Sequence, residues 1–331
     1  MKRRDFTIGL LLAAVARSGR AQEPAKPHRI AIAIPAGPVA SIDDPERRFY
    51  HAIFQELRKL GYIEGQNLTI DRYSGEGRPS AYADVAREAV SRDPEVIVAA
   101  GETIALAVRA ANGTIPIACV GPDLIGAGLA TSLAHPGGNV TGVTVNAGSE
   151  ILGKRLQILK EAVPSASTVA LLARPGSWEL DARQQLRDAN ERLHILVVAM
   201  PLRASTPADV EGAFAEITKA QADAIIVASV GDLVPYRRLI VELAEKRRLP
   251  AMYPWRDYMD VGGLMAYAVD NTEIGRHLAD QVHQILNGAK PGDIPIYQPT
   301  KYEFLVNLKT AEALGLDIPP VLLGRADEVI E

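Results

Sequence analysis

Short runs of core-type residues alternate with amphipathic stretches along most of this chain. Arg29-Ile-Ala-Ile-Ala-Ile34 is a β-branched run of strand length that stops at Pro35-Ala-Gly-Pro38. Asp44-Pro45-Glu46 reads as a helix start: an N-cap carboxylate, proline at the first helical position and an acid in the first turn. Phe49, Ile53, Leu57 and Leu60 then keep one apolar face until Gly61. Residues 67–73 read as a second strand and 80–91 as a second helix. Residues 95–99 form a third strand, ending in Gly101-Glu-Thr103, with a helix to about residue 111. Residues 115–120 form a fourth, ending in Gly121-Pro-Asp123.

The same alternation resumes after the middle. Helices are expected at 149–162, 178–193, 207–220 and 235–246. Strands are expected at 168–173, 195–199 and 224–228, the last ending in Ser229-Val-Gly-Asp232. Strands alternating with helices of this length imply α/β lobes with parallel sheets covered on both faces. In such sheets ligands meet the loops outside the carboxyl ends of the strands. Between the halves lies Ala134-His-Pro-Gly-Gly-Asn-Val-Thr-Gly-Val-Thr-Val145, which reads as the first crossing from one lobe to the other. Past the second half come a strand from 262 to 270, a helix over 271–286, the breaker Asn287-Gly-Ala-Lys-Pro-Gly292, a strand at 302–307 and a short helix at 309–314. Further crossings are expected near 267–270 and 288–295. The division expected is lobe 1 at 28–143, completed by a helix at about 271–288, and lobe 2 at 146–268, completed by 296–331.

The halves also match in detail. Glu95-Val-Ile-Val-Ala-Ala-Gly-Glu102 parallels Ala224-Ile-Ile-Val-Ala-Ser-Val-Gly-Asp232, and Ile115-Pro-Ile-Ala-Cys-Val-Gly-Pro-Asp123 parallels Leu249-Pro-Ala-Met-Tyr-Pro-Trp-Arg-Asp257. In the second pair an aspartate follows proline by seven residues. Two doubly wound lobes of common plan are the reading; coincidence between generic buried strands is the alternative.

A chain of 331 residues accommodates two ordinary domains, and 47% hydrophobic with 23% charged residues is a globular composition. The N-terminus changes the picture. Met1-Lys-Arg-Arg-Asp-Phe6 is a basic segment, residues 8–16 are a short apolar one, and Ser18-Gly-Arg-Ala21 ends in a small residue. Residues 1–21 are therefore expected to be a signal peptide, too short to span a bilayer. The Arg3-Arg4-x-Phe6 order is similar to a twin-arginine signal; a general secretory signal is the alternative. No cysteine sits where a lipid anchor would need one. Without residues 1–21 the chain loses five basic residues and one acid, leaving 31 basic against 39 acidic, a net of −8. That argues against nucleic acid or an anionic membrane surface as a partner. The lone Cys119 lies in an apolar run and reads as a buried thiol.

No His-Glu-x-x-His, Gly-x-Ser-x-Gly or phosphate-loop motif occurs, and Pro35-Ala-Gly-Pro38 does not supply the glycines of a dinucleotide site. Neither an enzyme nor a cofactor is expected.

Several segments together resemble one family. They are Gln55-Glu-Leu-Arg-Lys-Leu-Gly-Tyr-Ile-Glu-Gly-Gln-Asn67, Leu133-Ala-His-Pro-Gly-Gly-Asn-Val-Thr-Gly142, Gly153-Lys-Arg-Leu-Gln-Ile-Leu-Lys-Glu-Ala-Val-Pro164, Gly262-Gly-Leu-Met-Ala-Tyr267, Gln298-Pro-Thr-Lys-Tyr-Glu-Phe304 and the closing residues 318–330. The family is that of ABC-transporter substrate-binding proteins that includes tryptophan- and tyrosine-type members. The resemblance implies a type I periplasmic binding protein fold: two Rossmann-like lobes, joined by three crossings, closing on a small solute that is delivered to a membrane permease. A periplasmic sensor feeding a chemoreceptor or kinase, or an exported α/β enzyme, are the alternatives.

By position, Thr103 opens a helix where free N–H groups suit a carboxylate, unless it is only an N-cap. Asp123 and Asp232 end strands facing the cleft; either could hold an ammonium group or be an ordinary loop residue. Trp255 could stack on a flat or cationic ligand, or plug a core. Tyr267 and Asp270 flank a crossing and could reach the ligand from the hinge. Tyr236 and Ser41 complete the candidates.

Overall fold

The computed structural model describes residues 26–145, 150–173, 191–229 and 231–331. The expected signal peptide, the loop at 174–176, nearly all of the 178–193 helix and the first residue of the 149–162 helix lie outside them. No described helix is long and apolar enough to cross a membrane.

Five strands make the first sheet: β1 (His28–Ile34), β2 (Leu68–Ser74), β3 (Val96–Ala100), β4 (Ile117–Gly121) and β5 (Val140–Thr144). Their order is β2-β1-β3-β4-β5, all parallel, with Ile30 opposite both Ile70 and Val96. Isoleucine at alternate positions of β1 serves one face, and the intervening alanines serve the other. Ile30, Ile32 and Ile34 join a cluster with Ile53 and Leu57 of the Arg48–Lys59 helix and Leu278 and Val282 of the Asn271–Leu286 helix. Ala31 and Ala33 face Val85, Ala86 and Ile104 of the helices Tyr82–Ser91 and Glu102–Ala111. Double coverage is why the run is apolar at every position.

Among the described residues the second sheet has seven strands: β6 (Thr168–Ala173), β7 (Leu196–Pro201), β8 (Ala224–Val227), β9 (Ala251–Tyr253), β10 (Met265–Ala268), β11 (Glu303–Asn307) and β12 (Glu328–Ile330). The order is β12-β11-β10-β9-β8-β6-β7. Among the described residues only the β10–β11 pair is antiparallel. Phe214 and Ile240 of the helices Pro207–Lys219 and Arg237–Lys246 cover one face; Leu156 and Leu159 of the Glu150–Ala162 helix cover the other. The molecule is thus two α/β lobes with mostly parallel sheets.

The crossings differ in detail from the sequence expectation. The Pro136-Gly-Gly138 turn is not a crossing. It leads into β5, whose five residues are all buried as the edge strand of the first sheet, so the chain leaves that sheet only at Val145. The segment expected to cross at 288–295 also stays on the first lobe. Gly137 N–H donates to Gly292 O, Ile296 N–H to Leu133 O, and Tyr297 exchanges bonds with Gly142 and Thr144. The return lies instead at residues 298–302, ahead of β11. The Asp44-Pro45-Glu46 segment is a turn in which Asp44 accepts from Glu46 N–H at 2.9 Å; the helix begins at Arg48, because Arg47 has ψ near 86°. The short strand β12 and the Pro320–Leu323 helix were not anticipated, since neither is long enough to show a period.

Candidate functional site

A cavity of about 360 Å³ lies between the lobes, at the carboxyl ends of both sheets. Strand-end loops build most of its wall. Pro35 and Ala36 follow β1, Gly101, Glu102 and Thr103 follow β3, and Pro122 and Val145 follow β4 and β5. From the second lobe come Ser229, Asp232 and Val234 after β8, and Trp255 and Asp257 after β9. Two helix starts complete it: Arg47, Phe49 and Tyr50 at one, Asn271 and Ile274 at the other. Ile34, Phe49, Val120, Val145, Val234 and Ile274 make much of the lining apolar, and the polar groups are few and individually placed.

Those groups are mostly charged. Asp257 is 1% exposed and accepts from Asn271 Nδ2 at 2.6 Å. Burial raises its pKa, opposed by that hydrogen bond and by the positive charges of Arg47 and Arg237. Glu102 is pushed up to about 7 by burial, against the hydrogen bond it accepts from Asp123 N–H. Asp232 is buried and accepts from Ser205 Oγ at 3.4 Å. It faces the start of the 102–111 helix across the lobes: a Cβ on Gly101 would lie 4.0 Å from its Oδ1. Arg47 is buried beside Tyr50, its guanidinium carbon 4.9 Å from the ring centroid.

Behind the wall, Arg155 is almost wholly buried. It donates to Tyr267 O at 2.9 and 2.8 Å, to Ser229 Oγ at 2.6 Å and to Pro254 O at 3.4 Å. It ties the ends of β8, β9 and β10 together. Burial lowers its pKa to about 10.

The lobes meet outside the cavity as well. Ser205 N–H donates to Gly77 O at 3.2 Å. Arg237, buried in the second lobe, reaches Glu46 at 3.0 Å and Asp44 at 3.3 Å in the first. Arg48 forms a two-pronged pair with Asp260 at 2.9 and 3.0 Å. These contacts join the two lobes directly.

Three of the eight candidate residues line the cavity. Thr103 stands at its edge, exposed, in the first turn of a helix whose N-cap is Gly101 rather than a hydroxyl. Asp232 lies on the wall. Trp255 belongs both to the core cluster and to the wall. The other five lie outside the lining. Asp123 is exposed and accepts from Ile125 and Gly126 N–H within its own turn. Asp270 caps the 271–286 helix through Thr272 N–H at 2.8 Å. Tyr267 stacks on Tyr302, centroids 5.4 Å apart. The Tyr236 hydroxyl bonds the Gly37 backbone across the lobes. Ser41 lies in the 39–42 turn with its hydroxyl buried.

Arg47, Glu102, Asp257 and Asn271 were not chosen from the sequence. The internal repeat held the signal for two of them, since it pairs Glu102 with Asp232 and Asp123 with Asp257. The loop after β4 turns its aspartate to solvent, whereas the loop after β9 turns its aspartate inward. Among the described residues no group of three or more His, Cys, Asp or Glu side chains could hold a metal ion.

The sequence model of a family described as ABC transporter substrate binding protein matches residues 41–330. This chain belongs to that family. A tyrosine-binding protein of Clostridioides difficile strain R20291 is 25% identical over 282 residues, covering 83% of this chain and 78% of that protein. Among solved structures, a conserved domain protein from Vibrio cholerae O1 biovar El Tor superposes with a TM-score of 0.77 at 26% identity, over 92% of this chain and 100% of the other. An ABC domain in complex with L-Trp from Streptococcus pneumonia has the same TM-score at 23% identity, over 92% and 100%. The fold of this substrate-binding protein is that of the type I periplasmic binding proteins.

Proposed function

We propose that this substrate-binding protein is the periplasmic component of an ABC-type uptake system. It captures an amino acid or related carboxylate by hinge closure and hands it to an inner-membrane permease. The observation that carries the reading is the cavity between the lobes: about 360 Å³, lined by apolar side chains together with a few charged and polar ones. Such a cavity suits a molecule with an apolar body and a charged head. The tyrosine named for one relative and the L-Trp bound to another are ligands of that kind. In this reading Thr103, Glu102, Asp232, Trp255, Arg47 and Asp257 contact the ligand, and no covalent chemistry is involved. Residues 28–145 with 271–297 act as one lobe, and 150–268 with 303–331 as the other. Residues 1–21 direct export and are removed.

A thermal-shift screen of the mature protein against amino acids, other carboxylates and small sugars tests this. A ligand at about 100 times its Kd stabilises the bound form by about 2.7 kcal/mol, roughly 4 °C in a protein of this size. A melting temperature unmoved by every compound refutes the reading. Trp255→Ala is expected to remove most of the shift given by the best ligand; an intact shift excludes Trp255 from the contact.

A further inference from the structure

One short segment of the first lobe carries four charges to the second. In Asp44-Pro45-Glu46-Arg47-Arg48 the two acids come first and the two arginines follow. The second lobe meets them with the opposite signs. Asp44 and Glu46 receive Arg237 at 3.3 and 3.0 Å, and Glu46 also receives Arg238 at 2.7 Å. Arg48 grips Asp260 through two hydrogen bonds of 2.9 and 3.0 Å. Arg47 lies between these pairs, its charge acting on the buried Asp257. Asp43, one residue earlier, pairs instead within its own lobe, with Arg72 at 2.9 Å. The turn in which Asp44 accepts from Glu46 N–H at 2.9 Å presents the two acids together.

Asp44, Glu46, Arg48, Arg237, Arg238 and Asp260 do not line the cavity between the lobes. Their pairs are made by protein groups alone, so no solute is needed to complete them. One ion pair at a protein surface shifts an equilibrium by only about 1.4- to 5-fold, but several acting on one hinge multiply. A second hollow, of about 380 Å³, opens beside the segment and is lined by Glu46, Arg48 and Asp260. Dissolved ions therefore reach these pairs and screen them.

We propose that residues 44–48 are an electrostatic clasp. With Arg237, Arg238 and Asp260 they hold the lobes together in the empty protein as in the loaded one, and they make the opening of the cavity respond to ionic strength. A solute of no net charge would then escape faster in salt, although its own contacts are little screened. The clasp acts whatever the cavity binds.

Double electron–electron resonance on solute-free mature protein tests it. Spin labels at Ala83→Cys and Glu211→Cys sit at exposed positions on the helices that follow the Gly77–Ser205 contact, one in each lobe; the native Cys119 is buried and stays unlabelled. Between about 20 mM and about 500 mM NaCl the ratio of near to far populations is expected to fall about tenfold. Arg48→Asp and Asp260→Arg each set like charges against each other, and each is expected to lower the ratio about tenfold in the dilute salt. The double exchange is expected to restore it to within about threefold of the wild type. Lys59→Asp makes the same change of charge against Glu56, its partner at 2.9 Å within one helix, and is expected to leave the ratio unaltered. A wild-type spacing that ignores salt overturns the clasp without recourse to any exchange. So does a double exchange that recovers nothing of what the single ones lose.

Discussion

Substituting Gly77 by alanine would separate closure from folding. Gly77 lies in the turn after β2 with φ near +77°, and its carbonyl accepts the Ser205 N–H of the other lobe. A Cβ built there would lie 2.0 Å from Ser205 O and 2.6 Å from its carbonyl carbon. An ordinary contact needs more than 3 Å, so the two loops must part by about 1 Å or more. The left-handed conformation costs alanine about 1–2 kcal/mol in any state of the molecule. The clash and the lost hydrogen bond, together about 2–3 kcal/mol, fall on the closed form alone. Apparent affinity scales with the population of the competent form, so Kd should rise about 30- to 150-fold. Gly65→Ala is the control: φ is near +82°, but nothing lies within 4 Å of its Cβ position. Both variants should lose a similar amount of stability in chemical denaturation, whereas only Gly77→Ala should lose affinity for L-tryptophan or L-tyrosine by calorimetry. It should also scatter X-rays as a more extended particle when ligand is present. Equal affinities in the two variants would refute the idea that this contact belongs to the ligand-bound form.

Two other perturbations follow from buried charge. Glu102 is held near 7, above its ordinary 4.5, so its folded form prefers the proton. The stability it contributes is complete below pH 4.5 and is lost as pH rises through 7, a total of up to about 3 kcal/mol. Glu102→Gln should flatten melting temperature against pH between 4.5 and 8; parallel curves for the two proteins would exclude this group. Arg155→Met removes the donor shared by Tyr267, Ser229 and Pro254. It should cost about 2–4 kcal/mol in urea denaturation, and an unchanged midpoint would show that the strand ends hold without it.

The central strands were legible in the sequence because double coverage makes them apolar at successive positions, as Ile30 to Ile34 show. The helix over 271–286 was legible for the opposite reason: Ile274, Leu278, Val282 and Ile285 keep a strict helical spacing on one buried face. The crossings were harder. Residues 288–295 contain glycine and proline, which read as a linker, yet the chain beyond them is held to the first lobe by backbone bonds to Leu133, Gly142 and Thr144 that leave no trace in residue type. The site divides in the same way. Trp255 and Asp232 could be named because they follow strands. Arg47 could not, since an arginine ahead of Arg48 in a polar stretch looks solvated, and only the packing of Tyr50 against it shows otherwise. Asp123 and Asp257 are equivalent in the repeat, and loop direction alone separates them.

The 271–286 helix also bears on how the protein is made. It covers the face of the first sheet formed by Ile32, Val98, Ala118 and Val143. A ribosome completes β5 about 140 residues before it completes that helix. At 5–20 residues per second the first lobe waits roughly 10–30 s with this face covered only by the Arg48–Lys59 helix. For that interval the N-terminal half lacks the Ile274, Leu278 and Val282 side chains that complete this core. The nascent chain should therefore remain open to holding chaperones until nearly the whole sequence has been synthesised.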